Sequence, residues 1–143
     1  MAIARATITT NVWDTVYNHF QTGTYAISTN NIFSAWNSEL ATDKGYPLVI
    51  IHPPSCSIEK VTANQTITNS EVIVQIEVFT TTAAACKALM DSITNSLYTG
   101  RFVFQAVRMM NMNIGGGNFD SWEEGQKKIH VGTMDVTWRY IEA

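Results

Sequence analysis

The stretch Glu71–Phe79, EVIVQIEVF, alternates apolar and polar residues almost without fault. Val72, Val74, Ile76 and Val78 take every second position, and Glu71, Gln75 and Glu77 fall between them. Only Ile73 and Phe79 interrupt the polar side. Period two over this length specifies a strand with one buried face. After Thr80-Thr81-Thr82 the period changes, and Ala85, Cys86, Leu89, Met90, Ile93 and Leu97 lie on one helical stripe. A strand of nine residues spans ~30 Å, and a helix of roughly sixteen covers ~24 Å. The helix can therefore fold back along the strand and bury the shared apolar surface. The chain must contain a sheet with a helical cover on one side, and this unit holds no reactive cluster.

A length of 143 residues suits one domain over 1–143, burying ~68% of the surface of its unfolded chain. Hydrophobic residues make up 45% and charged residues only 15%, so Asn and Thr supply much of the polarity. That balance fits a surface partly covered by neighbours, or an ordinary domain with a neutral surface. A net charge of −3 with scattered Lys and Arg argues against tight non-specific nucleic-acid binding. No apolar run approaches a membrane span. The N-terminal MAIARATITTN lacks the pattern of a signal peptide, so a reduced, cytoplasmic setting is expected. Cys56 and Cys86 do not make a disulfide framework, and Cys86 sits on the apolar stripe as a small hydrophobe.

Along the chain, Val12, Trp13, Val16, Tyr17 and Phe20 repeat at helical spacing behind the capping residues Thr9-Thr10-Asn11. Ile32, Phe33, Trp36 and Leu40 suggest a second helix, ended at Asp43-Lys44-Gly45. Tyr46–His52 reads as a strand that Pro53-Pro54 must break or kink, with Ser57–Val61 resuming it. Thr62–Ser70 reads as a polar hairpin tip and Phe102–Met112 as a long extended piece. Ile114–Gly125, with Gly115-Gly116-Gly117, reads as a flexible excursion. As a loop, Gly115–Trp122 would be removable without loss of folding. In the last strand Ile129 and Val131 keep one phase, while Met134, Val136, Trp138 and Tyr140 keep the other. A β-bulge at Gly132-Thr133 would account for the slip. The expected class is α+β, with a single antiparallel or mixed sheet of about four strands and helices on one face. The order is helix, second helix, strand, strand, helix, strand, strand. The uncovered face would carry Glu71, Gln75, Glu77, Asp135, Thr137 and Arg139.

The sequence offers no catalytic, cofactor-binding or metal-binding set. His19, His52 and His130 have no partners at metal-ligand spacing. His19 reads as a surface residue and His52 as a structural one. Cys56 lacks an activating neighbour, and no nucleophile elbow is present. The triple glycine is not followed by the Lys and helix of a phosphate loop. Glu123 and Glu124 are adjacent and point apart. Phe119 and Trp122, in the glycine-flanked excursion, read either as anchors for a partner or as cover for a sheet edge.

The YP-initiated strand Tyr46–His52, the unit Glu71–Phe79 with Thr82–Leu97, and the closing strand Ile129–Ile141 carry a resemblance. In order and size they resemble the tail terminator, or tail-completion, proteins of long-tailed bacteriophages. The resemblance implies a virion structural protein, not an enzyme, assembled in the host cytoplasm and placed in the tail or neck. It implies a homo-oligomeric ring, usually a hexamer, that caps the tail tube protein, ends its polymerisation and meets the head–tail connector protein. DNA would pass through the channel without specific binding, and no cofactor or membrane is implied. On this reading Glu71, Gln75, Glu77, Asp135 and Arg139 face the lumen, their acidic groups repelling phosphates. Asn64, Gln65, Thr66, Asn69, Gly116, Phe119 and Trp122 become candidates for contacts with neighbours. Another connector, neck or tube subunit, or a small-molecule-binding domain or enzyme, remains an alternative.

Overall fold

The computed structural model describes residues 8–142 except 22, 28, 30, 36–43, 61–67 and 125. Helix α1 (Ile8–Gln21) buries Val12, Val16 and Phe20, the residues its spacing selects. Trp13 and Tyr17 stack on each other at its flank, and the Trp13 indole N–H donates to the Ile51 carbonyl at 2.6 Å. A short 3-10 turn, Gly23–Tyr25, leads to strand β1 (Ile32–Phe33). Ile32 and Phe33 are therefore extended, not helical as their spacing with Trp36 and Leu40 suggests. Ser34 and Ala35 are not helical either, and residues 36–43 of that expected helix lie outside the described residues. A fully apolar β2 (Leu48–Ile51) follows, parallel to β1.

The two prolines neither end the sheet nor divide it. Ile51 pairs with Ile76 and Ser55 with Ile73, both on β4 (Thr68–Thr80), so three residues of the edge stand against two. His52, Pro53 and Pro54 thus form a bulge, where the missing proline N–H groups interrupt no ladder. Past it the edge resumes as β3 (Ser55–Lys60). The expected hairpin tip at Thr62–Ser70 lies largely outside the described residues, and Thr68 already belongs to β4.

Val72, Val74, Ile76 and Val78 are fully buried along β4. The Thr82 side chain accepts from the Ala85 N–H at 3.1 Å and caps helix α2 (Ala83–Thr99). Cys86, Leu89, Met90, Ile93 and Leu97 are buried beneath it, whereas Ala85 is exposed. Gly100 joins α2 to a short helix α3 (Arg101–Ala106), where an extended segment was expected. Six residues are too few to show helical periodicity, so RFVFQA read equally well as strand.

Two long strands close the chain, β5 (Met109–Glu124) and β6 (Lys127–Glu142). The expected flexible excursion is therefore a strand, and its removal would take away half of a hairpin. Its order comes from the ladder to β6, and two bulges hide its period. Asn111 and Met112 stand against Trp138, and Gly116 and Gly117 against Met134. Asn111 and Gly116 have φ of 54° and 80°, the left-handed conformations that Asn and Gly tolerate best.

Among the described residues the result is an α+β fold with a mixed sheet of six strands and three helices, where about four strands were expected. The strand order is β1-β2-β4-β6-β5, with β3 pairing β4 beside β2. All three helices contribute to one core on one face. No slip occurs at Gly132-Thr133, because β4 and β6 pair in unbroken register from Thr68–Glu142 to Thr80–His130. The change of phase in β6 is instead a change of buried face. Ile129 and Val131 join Leu48, Ile50 and Phe79 in a second, smaller core on the face away from the helices. Phe33, Tyr46 and Trp122 pack at its rim. Gly132, between the two phases, lies under α2, where an added Cβ would come within 2.9 Å of Met90 Sδ.

The Trp122 ring meets Phe79 edge to face with centroids 5.7 Å apart. Trp122→Ala should lower unfolding free energy by about 2–3 kcal/mol in urea titrations, as expected for an aromatic partly buried on a core. A loss under about 0.5 kcal/mol, normal for an exposed loop position, would contradict this packing.

Candidate assembly surface

The alternation that buries the valines of β4 places Glu71, Gln75 and Glu77 on the face opposite the described helices. The register sets each beside a defined neighbour on β6: Glu71 opposite Arg139, Gln75 opposite Asp135, and Glu77 opposite Thr133. Between Glu71 and Glu77 the polar run is interrupted by Ile73, opposite Thr137 and partly exposed. Glu71 and Arg139 form a solvent-exposed ion pair at 3.5 Å, of a kind worth ~0–1 kcal/mol. The Glu77 carboxylate accepts from Nε2 of His52, which the proline bulge holds at the edge of the same face. Two of the three carboxylates thus have a basic partner, while Asp135 is exposed with no ion pair among the described residues. The surface is one of mixed polarity and weak negative charge. His52 was missed as part of this face, because only the β2–β4 register shows which carboxylate it meets.

The residues expected at interfaces do not gather in one place. Asn64, Gln65 and Thr66 lie outside the described residues. Asn69 sits within β4, its backbone paired with Glu59 and Ile141. Gly116 belongs to the second bulge of β5. Phe119 and Trp122 are three apart in one strand, so their side chains leave opposite faces. Phe119 is half exposed beside Gly132 on the helical side, and Trp122 rims the small core on the other.

A different exposed cluster stands at the α2–α3 corner. Tyr98, Phe102 and Val103 are 61%, 62% and 42% exposed. The Arg101 guanidinium lies over both aromatic rings, 4.7 Å from the Tyr98 centroid and 4.6 Å from that of Phe102. It also donates to the Tyr98 carbonyl at 2.8 Å. The available sequence signal was Tyr98, one residue past the last apolar position of the α2 stripe and off its buried face.

Groups with reactive potential are turned to structure. Burial pushes the Cys56 thiol up, away from the thiolate. Burial does the same to Cys86, against a smaller opposing hydrogen bond with Thr80. His19 is buried, contrary to the surface position expected. Its ring stacks on Tyr25, packs against Phe104, and donates from Nε2 to the Ser96 carbonyl at 3.0 Å. Gly100 makes room for it, since a Cβ there would lie 2.8 Å from Nε2 and 2.9 Å from the Ser96 oxygen. Among the described residues no group of three or more His, Cys, Asp or Glu side chains could hold a metal ion. No described helix is long and apolar enough to cross a membrane. A scan against protein-family models finds no match to this chain, and neither does a search of curated proteins.

Burial lowers the His19 pKa below its ordinary value, and the bond to Ser96 offsets this only in part. In the unfolded chain the same imidazole takes a proton near pH ~6.5. The unfolded state therefore binds more protons between that pH and the lower folded value. Stability conferred by neutral His19 is present above ~6.5 and falls with pH, by up to ~1.4 kcal/mol per unit. Urea titrations at pH 7.5 and 5.5 should show a larger acid loss in the wild type than in His19→Gln. Equal losses would mean that the imidazole is not held neutral.

Proposed function

We propose that this chain is a virion structural protein, a tail terminator that closes into a ring on the tube of a long bacteriophage tail. The ring, a hexamer on this reading, ends tube polymerisation and presents its far side to the head connector. The observation that carries the proposal is the sheet face opposite the described helices. Over Glu71–Glu77 of β4 and Thr133–Arg139 of β6, beyond the small apolar core at its other end, it is mostly polar and of mixed charge, and it lacks the converging groups of an active site among the described residues. A sheet of this kind suits a channel wall, because its side chains stay hydrated and offer DNA no cationic track. The resemblance in element order described for the sequence points the same way.

Native mass spectrometry and negative-stain imaging of the purified chain should show a closed homo-oligomeric ring with a central channel. A monomer persisting at high micromolar concentration would sink the proposal, and indefinite tubes would assign the chain to the tube itself. If the polar face lines the channel, Asp135→Lys should leave the ring intact and make it retain linear DNA at low salt. That retention should fall steeply as salt is added, since phosphate contacts release counterions. Variant rings no stickier than wild type would place Asp135 away from the lumen.

A further inference from the structure

We propose, on the basis of the ring reading, that copies join head to tail through the α2–α3 corner of one and a groove on the next. The groove, of about 290 Å³, lies between α1 and the proline bulge, with Trp13, Pro53 and Pro54 as its apolar part and Asp14, Thr9, Thr10 and Ser34 as its polar part. Its walls are firm, since Trp13 is tied to the Ile51 carbonyl and the prolines have fixed φ. The corner offers Phe102 to the apolar floor and Arg101 to the Asp14 carboxylate, which is exposed. Aromatic residues and Arg concentrate binding energy at interfaces. The two rings flanking Arg101 already restrict its guanidinium, so less side-chain entropy is lost on docking.

A second copy of the chain is the occupant because the two halves of the contact lie at opposite edges of one sheet. Pro53 and Pro54 belong to the β2–β3 edge, whereas α3 runs directly into β5 at the other edge. Three strand spacings, ~14 Å, separate these edges. The corner of one molecule cannot fill its own groove across that distance, but it can fill that of a neighbour rotated about a common axis. Contacts between unlike surfaces of identical molecules are heterologous, and they close into rings when the rotation divides a full turn. The charges are complementary, with Arg101 on one surface and Asp14 on the other.

The test compares wild type, Phe102→Glu, Asp14→Arg and the double exchange Arg101→Asp/Asp14→Arg by native mass spectrometry and sedimentation over a concentration series. Circular dichroism would check that each variant folds. Each of the two single variants should raise the concentration for half-assembly on the order of 30-fold, the size of a hot-spot loss. Mixed in equal amounts they should form one-to-one dimers, since each keeps one working half. The double exchange should recover rings. Wild-type rings that both single variants reproduce would overturn this interface and leave the ring reading standing. A wild type that stays monomeric removes the ring reading and the interface with it. Folded single variants that disassemble, yet neither pair when mixed nor recover on charge exchange, would overturn the head-to-tail contact.

Discussion

The ladder between β4 and β6 is the constraint on which the other contacts rest. Every residue of β4 pairs with β6 in one register, and that register decides which side chains meet on each face. A slip of one residue would send the valines of β4 to the open side and bring Glu71, Gln75 and Glu77 beneath the helices. Burying the Glu71 and Glu77 carboxylates without partners would cost several kcal/mol each. The same ladder brings Phe79 and Val131 together at one end, so a sheet with one helical cover acquires a second small core behind it.

Where residues carry their own periodic signal, the fold was legible from the chain. The β4–α2 unit stands close to where alternation, the Thr cap and the helical stripe put it, because local pattern and tertiary burial agree there. β5 was illegible for the opposite reason. It lies at an edge, most of its side chains are exposed, and two bulges break its period, so only pairing with β6 makes it a strand. The phase change at Gly132 was visible, but its cause was not. A bulge and a change of buried face produce the same sequence pattern, and the β4 register separates them. His19 reads as polar on a helix flank, and only Gly100, far along the chain, supplies the space that buries it.

The polar face was legible as a face, but its electrostatics were not. Sequence shows three carboxylates and one arginine across Glu71, Glu77, Asp135 and Arg139. The folded chain neutralises Glu71 with Arg139 and sets His52 against Glu77, which leaves Asp135 to set the local sign. A channel built on such a wall would rely on hydration and the lack of cations more than on strong repulsion. The corner of Tyr98, Arg101 and Phe102 depends on how α2 turns into α3 at Gly100, a bend too short to register in periodicity.

The sheet's two sides end in broken borders. On one, Pro53 and Pro54 remove adjacent amide donors; on the other, the Asn111 and Gly116 kinks put the outer row of amides and carbonyls out of line. Neighbouring molecules therefore lack a long, straight pair of main-chain rows to zip together. Main-chain zipping has no count and runs on into fibrils, so these two interruptions protect the folded chain where its edges are exposed. Crowded together, such chains are turned away from open-ended edge-to-edge stacking.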